Sequence, residues 1–305
     1  MRPPLIVPLP GFEPLAGSVA VLETTPPTIE RFENGELEVR LDASVDGRGC
    51  FLLGTVAPPG DRLAELLLTA DTLLRNGANS LHAVLPYLAY ARQDRPNPNI
   101  SLAAAWIGRL LANAGIADLT TIDIHSRAAR ELIGLPVTSL SPADLFGRAL
   151  AGWASREAVV VAPDRGAHAR ADAVLAALGL DRPLVRFGKE RDAGGVTHTT
   201  VEGEVAPRAI VVDDILDTGG TLVSCCRKLR ALGVEETAIA VTHGLFTGAR
   251  WRELADLGVG AIHVTDSVPD VRARARGAAR GAAGGGASEL VRVHSVGPLL
   301  AAAIT

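Results

Sequence analysis

Residues 210–221 constrain the fold of this 305-residue chain more than any other stretch, because they join a buried strand to a turn of small residues. Residues 210–212 are all β-branched, which is typical of a parallel strand buried on both faces. Asp213 and Asp214 follow where we expect that strand to end, and the periodic segment 222–232 predicts a helix after the turn. Strand, acidic pair, turn and helix in this order indicate a parallel α/β fold.

The turn that follows the acidic pair is suited to bind a phosphate. It consists of Asp217, Thr218, Gly219, Gly220 and Thr221. The glycines let backbone N–H groups point at one spot, and the N-terminus of the following helix adds about half a positive charge there. The acidic pair would repel a phosphate, but carboxylates accept hydrogen bonds from sugar hydroxyls or hold hydrated Mg²⁺. The stretch therefore predicts a site for a phosphorylated sugar with a metal nearby, the alternative being a simple helix N-cap after a flexible turn.

Composition limits the classes of protein to which the chain can belong. Hydrophobic residues make up 48% of the sequence, enough for a large buried core, and the length of 305 residues suits two domains. We find no apolar run long enough to span a membrane and no signal peptide, so we expect a soluble, cytoplasmic protein with no membrane partner. The net charge of −4, with dispersed basic residues, argues against nucleic acid as a partner. The three cysteines lack metal-ligand spacing and are expected to be reduced.

Strands alternate with helices along the chain, and the pattern occurs twice. The residues around the predicted strands 81–85 and 237–241 resemble each other. We therefore expect an α/β protein with two similar Rossmann-type domains, at residues 1–150 and 151–305, each with a mainly parallel sheet flanked by helices. The apolar closing segment 291–304 is expected to pack back on the N-terminal domain.

Two further segments have recognisable local patterns. Asn34 and Gly35 lie between two short extended pieces, which predicts a β-hairpin at residues 31–40. Residues 272–288 are rich in Arg, Gly and Ala and are expected to form a mobile surface loop. An RNA-binding segment is the alternative, but this stretch lacks the aromatic residues on which bases stack.

Polar side chains follow several predicted strands, at the edge where parallel sheets bind ligands. His125 and Asp164 come after two of these strands, and Arg92, Gln93 and Asp94 come after another. A histidine with several carboxylates and no thiolate ligands suits a hard, partly hydrated cation such as Mg²⁺ better than zinc. For His125 taken alone, the alternative is a hydrogen-bonded structural histidine.

Lys189 and Arg191 lie two residues apart in segment 188–196, which we expect to be a glycine-flanked loop after strand 184–187. Two cations with room to close on a ligand suit phosphoryl transfer, because negative charge accumulates on the phosphorus oxygens. Lys228 is the only other lysine in the chain, so the presence of a lysine in this loop favours a functional interpretation. The alternative is a solvated surface turn.

Eight motifs resemble, in order, those of the ribose-phosphate pyrophosphokinases, also called PRPP synthetases. They are F-E-N-G-E at 32–36, L-P-Y-L-A-Y-A-R-Q-D-R at 85–95, I-D-I-H at 122–125, A-P-D-R-G at 162–166, K-E-R at 189–191, V-D-D-I-L-D-T-G-G-T at 212–221, T-H-G at 242–244 and S-V-G-P-L-L at 295–300. The motif at 212–221 is also similar to the ribose-phosphate loop of type I phosphoribosyltransferases, which would share only that motif.

The resemblance implies an enzyme that transfers the β,γ-diphosphoryl group of ATP to the anomeric hydroxyl of ribose 5-phosphate, giving PRPP and AMP, with Mg²⁺ as cofactor. The C-terminal domain would bind ribose 5-phosphate and the N-terminal domain ATP. The implied sugar-phosphate site comprises Arg191, Asp213, Asp214, Asp217, Thr218, Gly219, Gly220 and Thr221. Lys189 and Arg191 are the implied catalytic residues, and His125 and Asp164 the implied metal ligands.

The implied ATP-binding residues are Phe32, Asn34, Gly35, Glu36, Arg92, Gln93 and Asp94. Family members assemble into dimers and hexamers, so the resemblance implies a homo-oligomer in which Phe32, Asn34 and Glu36 reach the adenine pocket of a neighbouring subunit. An aromatic ring on one face of adenine with a guanidinium on the other is physically reasonable stacking.

Two other functions remain open from the sequence. One is a phosphoribosyltransferase that consumes PRPP, and the other is a non-catalytic regulatory partner of a PRPP synthetase. A regulatory partner is expected to lack the catalytic lysine, whereas Lys189 is present.

Overall fold

The computed structural model describes residues 2–19, 22–154, 158–192, 195–279 and 287–304, and the side chains of 189–192, 195–200, 278–279 and 287–288 lie outside that description. The chain forms two compact units. Unit 1 comprises Met1–Leu140 and Ser295–Thr305, and unit 2 comprises Ser141–His294. None of the described helices has both the length and the apolar character needed to cross a membrane.

Helices alternate with strands in both units. Unit 1 contains β1 (Leu5–Pro8), α1 (Glu13–Ser18), β2 (Glu23–Thr24), β3 (Thr28–Arg31), β4 (Leu37–Arg40), β5 (Gly49–Leu53), α2 (Asp61–Arg75), β6 (Ser80–Val84), α3 (Ala103–Asn113), β7 (Ile116–Ile122), α4 (Arg127–Leu132) and β8 (Val137–Leu140). Unit 2 contains α5 (Ala143–Leu150), β9 (Ala158–Ala162), α6 (His168–Leu178), β10 (Val185–Asp192), β11 (Gly195–Glu202), β12 (Arg208–Leu216), α7 (Gly220–Ala231), β13 (Glu236–Gly244), β14 (Val259–Thr265), α8 (Val271–Ala279) and β15 (Val291–His294). The chain then returns to unit 1 with α9 (Gly297–Ala303).

The core of unit 1 is a parallel sheet with the strand order β2-β1-β5-β6-β7-β8. Successive residues of a strand point to opposite faces of the sheet. Leu52 and Ala83 accordingly pack with α2 and α3, whereas Leu53 and Val84 pack with α1 and α9. The sheet is thus covered on both faces, as parallel sheets require.

The predicted hairpin at residues 31–40 is confirmed. Strands β3 and β4 pair in antiparallel fashion, with Arg31 opposite Leu37. Gly35 has φ +91°, a left-handed conformation that a turn of this kind needs and that glycine adopts without a steric penalty.

The core of unit 2 is a sheet with the strand order β11-β10-β9-β12-β13-β14-β15. Its strands are parallel except where β10 pairs with β11. β12 is buried along most of its length, with Ile210 facing α5 and α6 and Val211 facing α7. The predicted fold class, α/β with mainly parallel sheets flanked by helices, is therefore confirmed.

Strand β12 does not end at Asp213 and Asp214, as the sequence predicts, but continues to Leu216. Its pairing with β9 stops at Val211, whereas its pairing with β13 continues to Leu216 opposite Gly244. The hydrogen bonds to β13 keep the backbone extended beyond the acidic pair. Asp213 and Asp214 therefore lie where β12 no longer pairs with β9 but is still part of its ladder with β13.

The predicted loop at 188–196 is also wrong. β10 continues from Val185 to Asp192 and pairs in antiparallel fashion with β11 at one edge of the sheet. Residues 271–279, assigned in part to a mobile loop by their composition, form helix α8. Residues 280–286 of the same stretch lie outside the described residues.

The division between the units falls after Leu140, ten residues before the boundary expected from the sequence. Helix α5, which the sequence assigns to the first domain, buries Phe146 and Leu150 against the α6 residues Ala171 and Val174. Its packing on α6 places it in unit 2.

Candidate active site

The carboxyl ends of β9 and β12 in unit 2 carry a cluster of acidic side chains. Asp213 and Asp214 are 7% and 6% exposed, and the backbone N–H of Asp214 donates to Oδ1 of Asp213 over 2.9 Å. Burial raises the pKa of the Asp213 carboxyl well above its usual range, and the neighbouring Asp214 and Asp164 raise it further. Such a pair accepts hydrogen bonds from hydroxyl groups and attracts cations.

Asp164 lies at the end of β9 and begins a single 3-10 turn. Its Oδ1 accepts hydrogen bonds from the backbone N–H groups of Gly166 (2.7 Å) and Ala167 (3.2 Å). These bonds fix the orientation of the carboxylate at the edge of the sheet. Asp164 therefore has a structural role as a cap in addition to the metal-binding role predicted from the sequence.

The predicted phosphate loop connects β12 to α7. Gly219 has φ +90° and lies against the backbone of Trp251, so close that an added Cβ would be 2.5 Å from the Trp251 Cα. Helix α7 begins at Gly220, so its first N–H groups and the positive end of its dipole face this loop. The Thr247 hydroxyl donates a hydrogen bond to the Asp217 carboxylate and joins the next loop to this one.

Arg170 is a site residue that the sequence analysis missed. It lies on α6, and its side chain is only 13% exposed. One guanidinium nitrogen donates to the Gly166 carbonyl oxygen over 2.8 Å, and another is 3.6 Å from Oδ2 of Asp214. Its charge also lowers the pKa of Asp213, opposing the effects of burial and of the other carboxylates. In the sequence, the role of Arg170 is indicated only by its position four residues after Gly166, which places the two residues one helical turn apart.

Lys189 and Arg191, the predicted catalytic residues, lie on β10 of unit 2. The backbone of Lys189 pairs with His198, and that of Arg191 pairs with Val196 on β11. Their side chains lie outside the described residues, so their predicted roles stay predictions.

In unit 1, the predicted ATP-binding residues 92–94 follow β6. The Gln93 side-chain oxygen accepts a hydrogen bond from the Ser101 hydroxyl over 2.7 Å. Asp94 is 9% exposed and accepts a hydrogen bond from Ser126, whose hydroxyl also caps α4 through the Ala129 N–H. Arg92 is exposed. The contact of Asp94 with Ser126 favours a structural role for Asp94, in holding the loop after β6, rather than contact with a nucleotide.

His125, the other predicted metal ligand, follows β7 and is half-buried. Among the residues that the structure describes, no three His, Cys, Asp or Glu side chains come together closely enough to form a metal site by themselves.

The remaining predicted ATP-binding residues are at the tip of the β3–β4 hairpin. Phe32 is 48% exposed, which is unusual for a large aromatic side chain. The Asn34 side chain bonds the Glu36 carboxylate over 2.9 Å, and Asn34 Oδ1 accepts the Glu36 N–H over 3.1 Å. The hairpin thus presents Phe32 on a turn that is held in shape by its own polar residues.

Comparison with known protein families gives two matches. The N-terminal domain of ribose phosphate pyrophosphokinase matches residues 14–115, and the phosphoribosyl transferase domain matches residues 146–256.

Individual relatives extend the likeness over most of the chain. Ribose-phosphate pyrophosphokinase of Campylobacter jejuni is 34% identical over 245 residues, 79% of each chain. The enzyme of the same name from Granulibacter bethesdensis is 34% identical over 263 residues, 84% of each chain. The crystal structure of phosphoribosylpyrophosphate synthetase from Mycobacterium smegmatis superimposes with a TM-score of 0.83 at 30% identity, covering 99% of this chain and 97% of that one.

Proposed function

Because the chain belongs to the ribose-phosphate pyrophosphokinase family, we propose that it transfers the diphosphoryl group of ATP to ribose 5-phosphate, giving PRPP and AMP. The observation that carries this proposal is the arrangement in unit 2, where a buried acidic pair and a glycine loop at a helix N-terminus lie at the end of one strand. A sugar phosphate has hydroxyls that can donate hydrogen bonds to the acidic pair and a phosphate that can bind at the glycine loop.

Residues 217–221 hold the 5-phosphate through backbone N–H groups and the α7 dipole. Asp213 and Asp214 accept hydrogen bonds from the ribose hydroxyls and so orient the anomeric oxygen. That oxygen attacks the β-phosphorus of ATP and its proton passes to water, while the bond from this phosphorus to the oxygen shared with the α-phosphate breaks and AMP leaves with that oxygen. Lys189 and Arg191 stabilise the negative charge that develops on the transferred group.

We propose Mg²⁺ as the metal of the unit 2 site, with Asp164 among its ligands, and the role of His125 in unit 1 stays a prediction. The donor that Asp164 supplies is a carboxylate oxygen, which suits a hard cation. Mg²⁺ is commonly bound by one or two carboxylates together with substrate phosphates and water, so a site without three clustered protein ligands fits a metal that binds with ATP. When bound, the metal would neutralise charge on the ATP phosphates.

In unit 1, we propose that Arg92 and Gln93 contact ATP, and that Phe32 stacks on the adenine bound by a neighbouring copy of the chain. The exposure of Phe32 supports this role, because an aromatic ring in solvent leaves apolar surface uncovered and gains burial and stacking energy when a base covers it.

The test is to incubate the protein with ATP, Mg²⁺ and ribose 5-phosphate and to measure AMP. Lys189→Ala should lower kcat at least a hundredfold, because a charge contact to the transferred group is lost. Lys228, the other lysine of the chain, lies in the last turns of α7, and Lys228→Ala is the matched control that should keep full turnover.

Undiminished AMP formation in the Lys189→Ala variant would remove the proposed role of this lysine. If the wild-type protein forms no AMP but releases pyrophosphate from PRPP when a nucleobase is added, the protein is a phosphoribosyltransferase.

A further inference from the structure

Arg170 is a nearly buried cation that the proposed reaction has not yet used. Its guanidinium is 13% exposed, and the Asp214 side chain beside it is 8% exposed. Removing a charge from water is costly unless it is paired and hydrogen-bonded. Its position at the edge of the sheet, among the carboxylates of the site, therefore calls for an explanation.

Two contacts of Arg170 reach different parts of the site. The 2.8 Å hydrogen bond to the Gly166 carbonyl holds the turn that Asp164 caps, at the end of β9. The ion pair with Asp214 Oδ2, at 3.6 Å and longer than a hydrogen bond, links the same side chain to the acidic pair on β12. The backbone pairing of these two strands ends at Val161 opposite Val211, so ladder hydrogen bonds no longer join them at this level.

The shape of the side chain suits this bridging role. A guanidinium presents several N–H donors in a rigid plane, and Arg170 uses different nitrogens for its two partners. A lysine ammonium is a single nitrogen on a flexible stem, so it can supply the charge but not two fixed, separate contacts.

We propose that Arg170 is a positioning residue that holds Asp214 at a fixed place relative to the Asp164 turn, so that the hydroxyls of the sugar phosphate meet a preformed acceptor. The inference rests on the proposed function, because it assigns Asp214 to the sugar. It places Arg170 behind the carboxylate, where it acts on substrate binding through Asp214.

The test compares Arg170→Gln and Arg170→Lys in steady-state kinetics with both substrates. Arg170→Gln should raise the KM for ribose 5-phosphate about tenfold or more, because a misplaced acceptor weakens binding, and should leave the KM for ATP within about twofold. Arg170→Lys, which restores the charge without the second contact, should give an intermediate KM for the sugar phosphate. Arg227→Gln is the control, because Arg227 is an exposed arginine of the same unit paired with Glu253.

An unchanged KM for ribose 5-phosphate in Arg170→Gln would overturn the inference, as would an equal rise in the KM for both substrates. If Arg170→Gln does not fold, as judged by thermal unfolding, Arg170→Lys decides: a wild-type KM for the sugar phosphate in that variant overturns the inference. Calorimetric titration of the wild-type protein with ribose 5-phosphate separates failure of the proposed reaction from failure of the inference about Arg170. Absence of wild-type turnover with retained sugar-phosphate binding refutes the proposed reaction alone, whereas absence of binding refutes both.

Discussion

Gly219 and Gly220 are adjacent in the predicted phosphate loop, but they differ in backbone conformation and in the space available for a side chain. Gly219 has φ +90° and lies against the Trp251 backbone, whereas a Cβ on Gly220 would meet nothing closer than an Arg250 side-chain nitrogen at 3.7 Å. Only the first position excludes every other residue, because both its conformation and its surroundings reject a Cβ.

We expect Gly219→Ala to raise the KM for ribose 5-phosphate more than tenfold and to lower the melting temperature, because the loop must shift away from Trp251 and its N–H groups lose their alignment. Gly220→Ala should change both quantities little. Kinetics and thermal unfolding of the two variants check this, and equal effects at both positions would contradict the geometry.

Asp213 illustrates a conflict between function and stability at one residue. Its pKa is raised by burial and by Asp214 and Asp164, so an acid that is easily ionised in the unfolded chain resists ionisation in the folded one. Stability from this group is fully present below the unfolded pKa of about 3.9 and is lost as the pH rises through the raised folded pKa.

Asp213→Asn should therefore raise the melting temperature at pH 7 to 8 in metal-free buffer, with about 2–4 °C for each kcal/mol gained. The advantage over the wild type should shrink as the pH is lowered toward 4. The same variant should bind ribose 5-phosphate more weakly, because one ionisable acceptor is lost. A melting temperature below that of the wild type at neutral pH would refute the argument.

At the scale of elements, strand β15 is held at the edge of the unit 2 sheet by four backbone pairs with β14 and by a histidine pair. His263 Nδ1 and His294 Nε2 are 3.0 Å apart, with the rings stacked 5.1 Å between centroids and nearly parallel. Burial, followed by the nearby His294 and Arg292, lowers the pKa of His263 to about 4, and burial followed by the charge of Arg272 lowers the pKa of His294.

We expect this edge to destabilise unit 2 in acid. A histidine with a depressed folded pKa contributes stability that is present above its unfolded pKa of about 6.5 and is lost as the pH falls through the folded value. Thermal unfolding between pH 6.5 and 4 should therefore show a fall in melting temperature that is smaller in His263→Gln, which removes one of the two titrating histidines. An identical pH dependence in wild type and variant would show that the pair does not contribute.

At the scale of the whole molecule, the hairpin tip that carries Phe32 predicts cooperation between copies of the chain. If Phe32 completes the ATP site of a neighbouring subunit, Phe32→Ala should raise the KM for ATP about tenfold without lowering the melting temperature, because the ring is 48% exposed.

Mixing two inactive or weakened variants tests more directly whether Phe32 acts on a neighbouring subunit. In mixed oligomers of Phe32→Ala and Lys189→Ala chains, a subunit with an intact lysine receives an intact Phe32 from its neighbour. At low ATP, the mixture should thus be more active than the sum of the activities of the two variants measured separately. Purely additive activity would show that Phe32 serves its own subunit or none.

Much of the fold and part of the site could be predicted from the sequence, because the signals are short-range. The β-branched run before Asp213, the Asn34-Gly35 turn and the glycine loop before α7 each specify a local backbone conformation through sterics, hydrogen bonding and apolar periodicity. These features were sufficient to predict the α/β class, the hairpin and a glycine loop before a helix, whereas phosphate binding by that loop stays a prediction.

Other features depend on partners that are distant in the chain, and only the tertiary structure decided them. Strand β12 passes the acidic pair because β13 continues to pair with it, and Arg170 becomes part of the site because α6 brings it to Asp214, forty-four residues later. Residues 291–294, which the sequence assigned with the rest of the closing segment to the N-terminal domain, instead pair with β14 in unit 2, whereas α9 belongs to unit 1. Local sequence sets which conformations are favoured, but burial and pairing between remote segments select which contacts form.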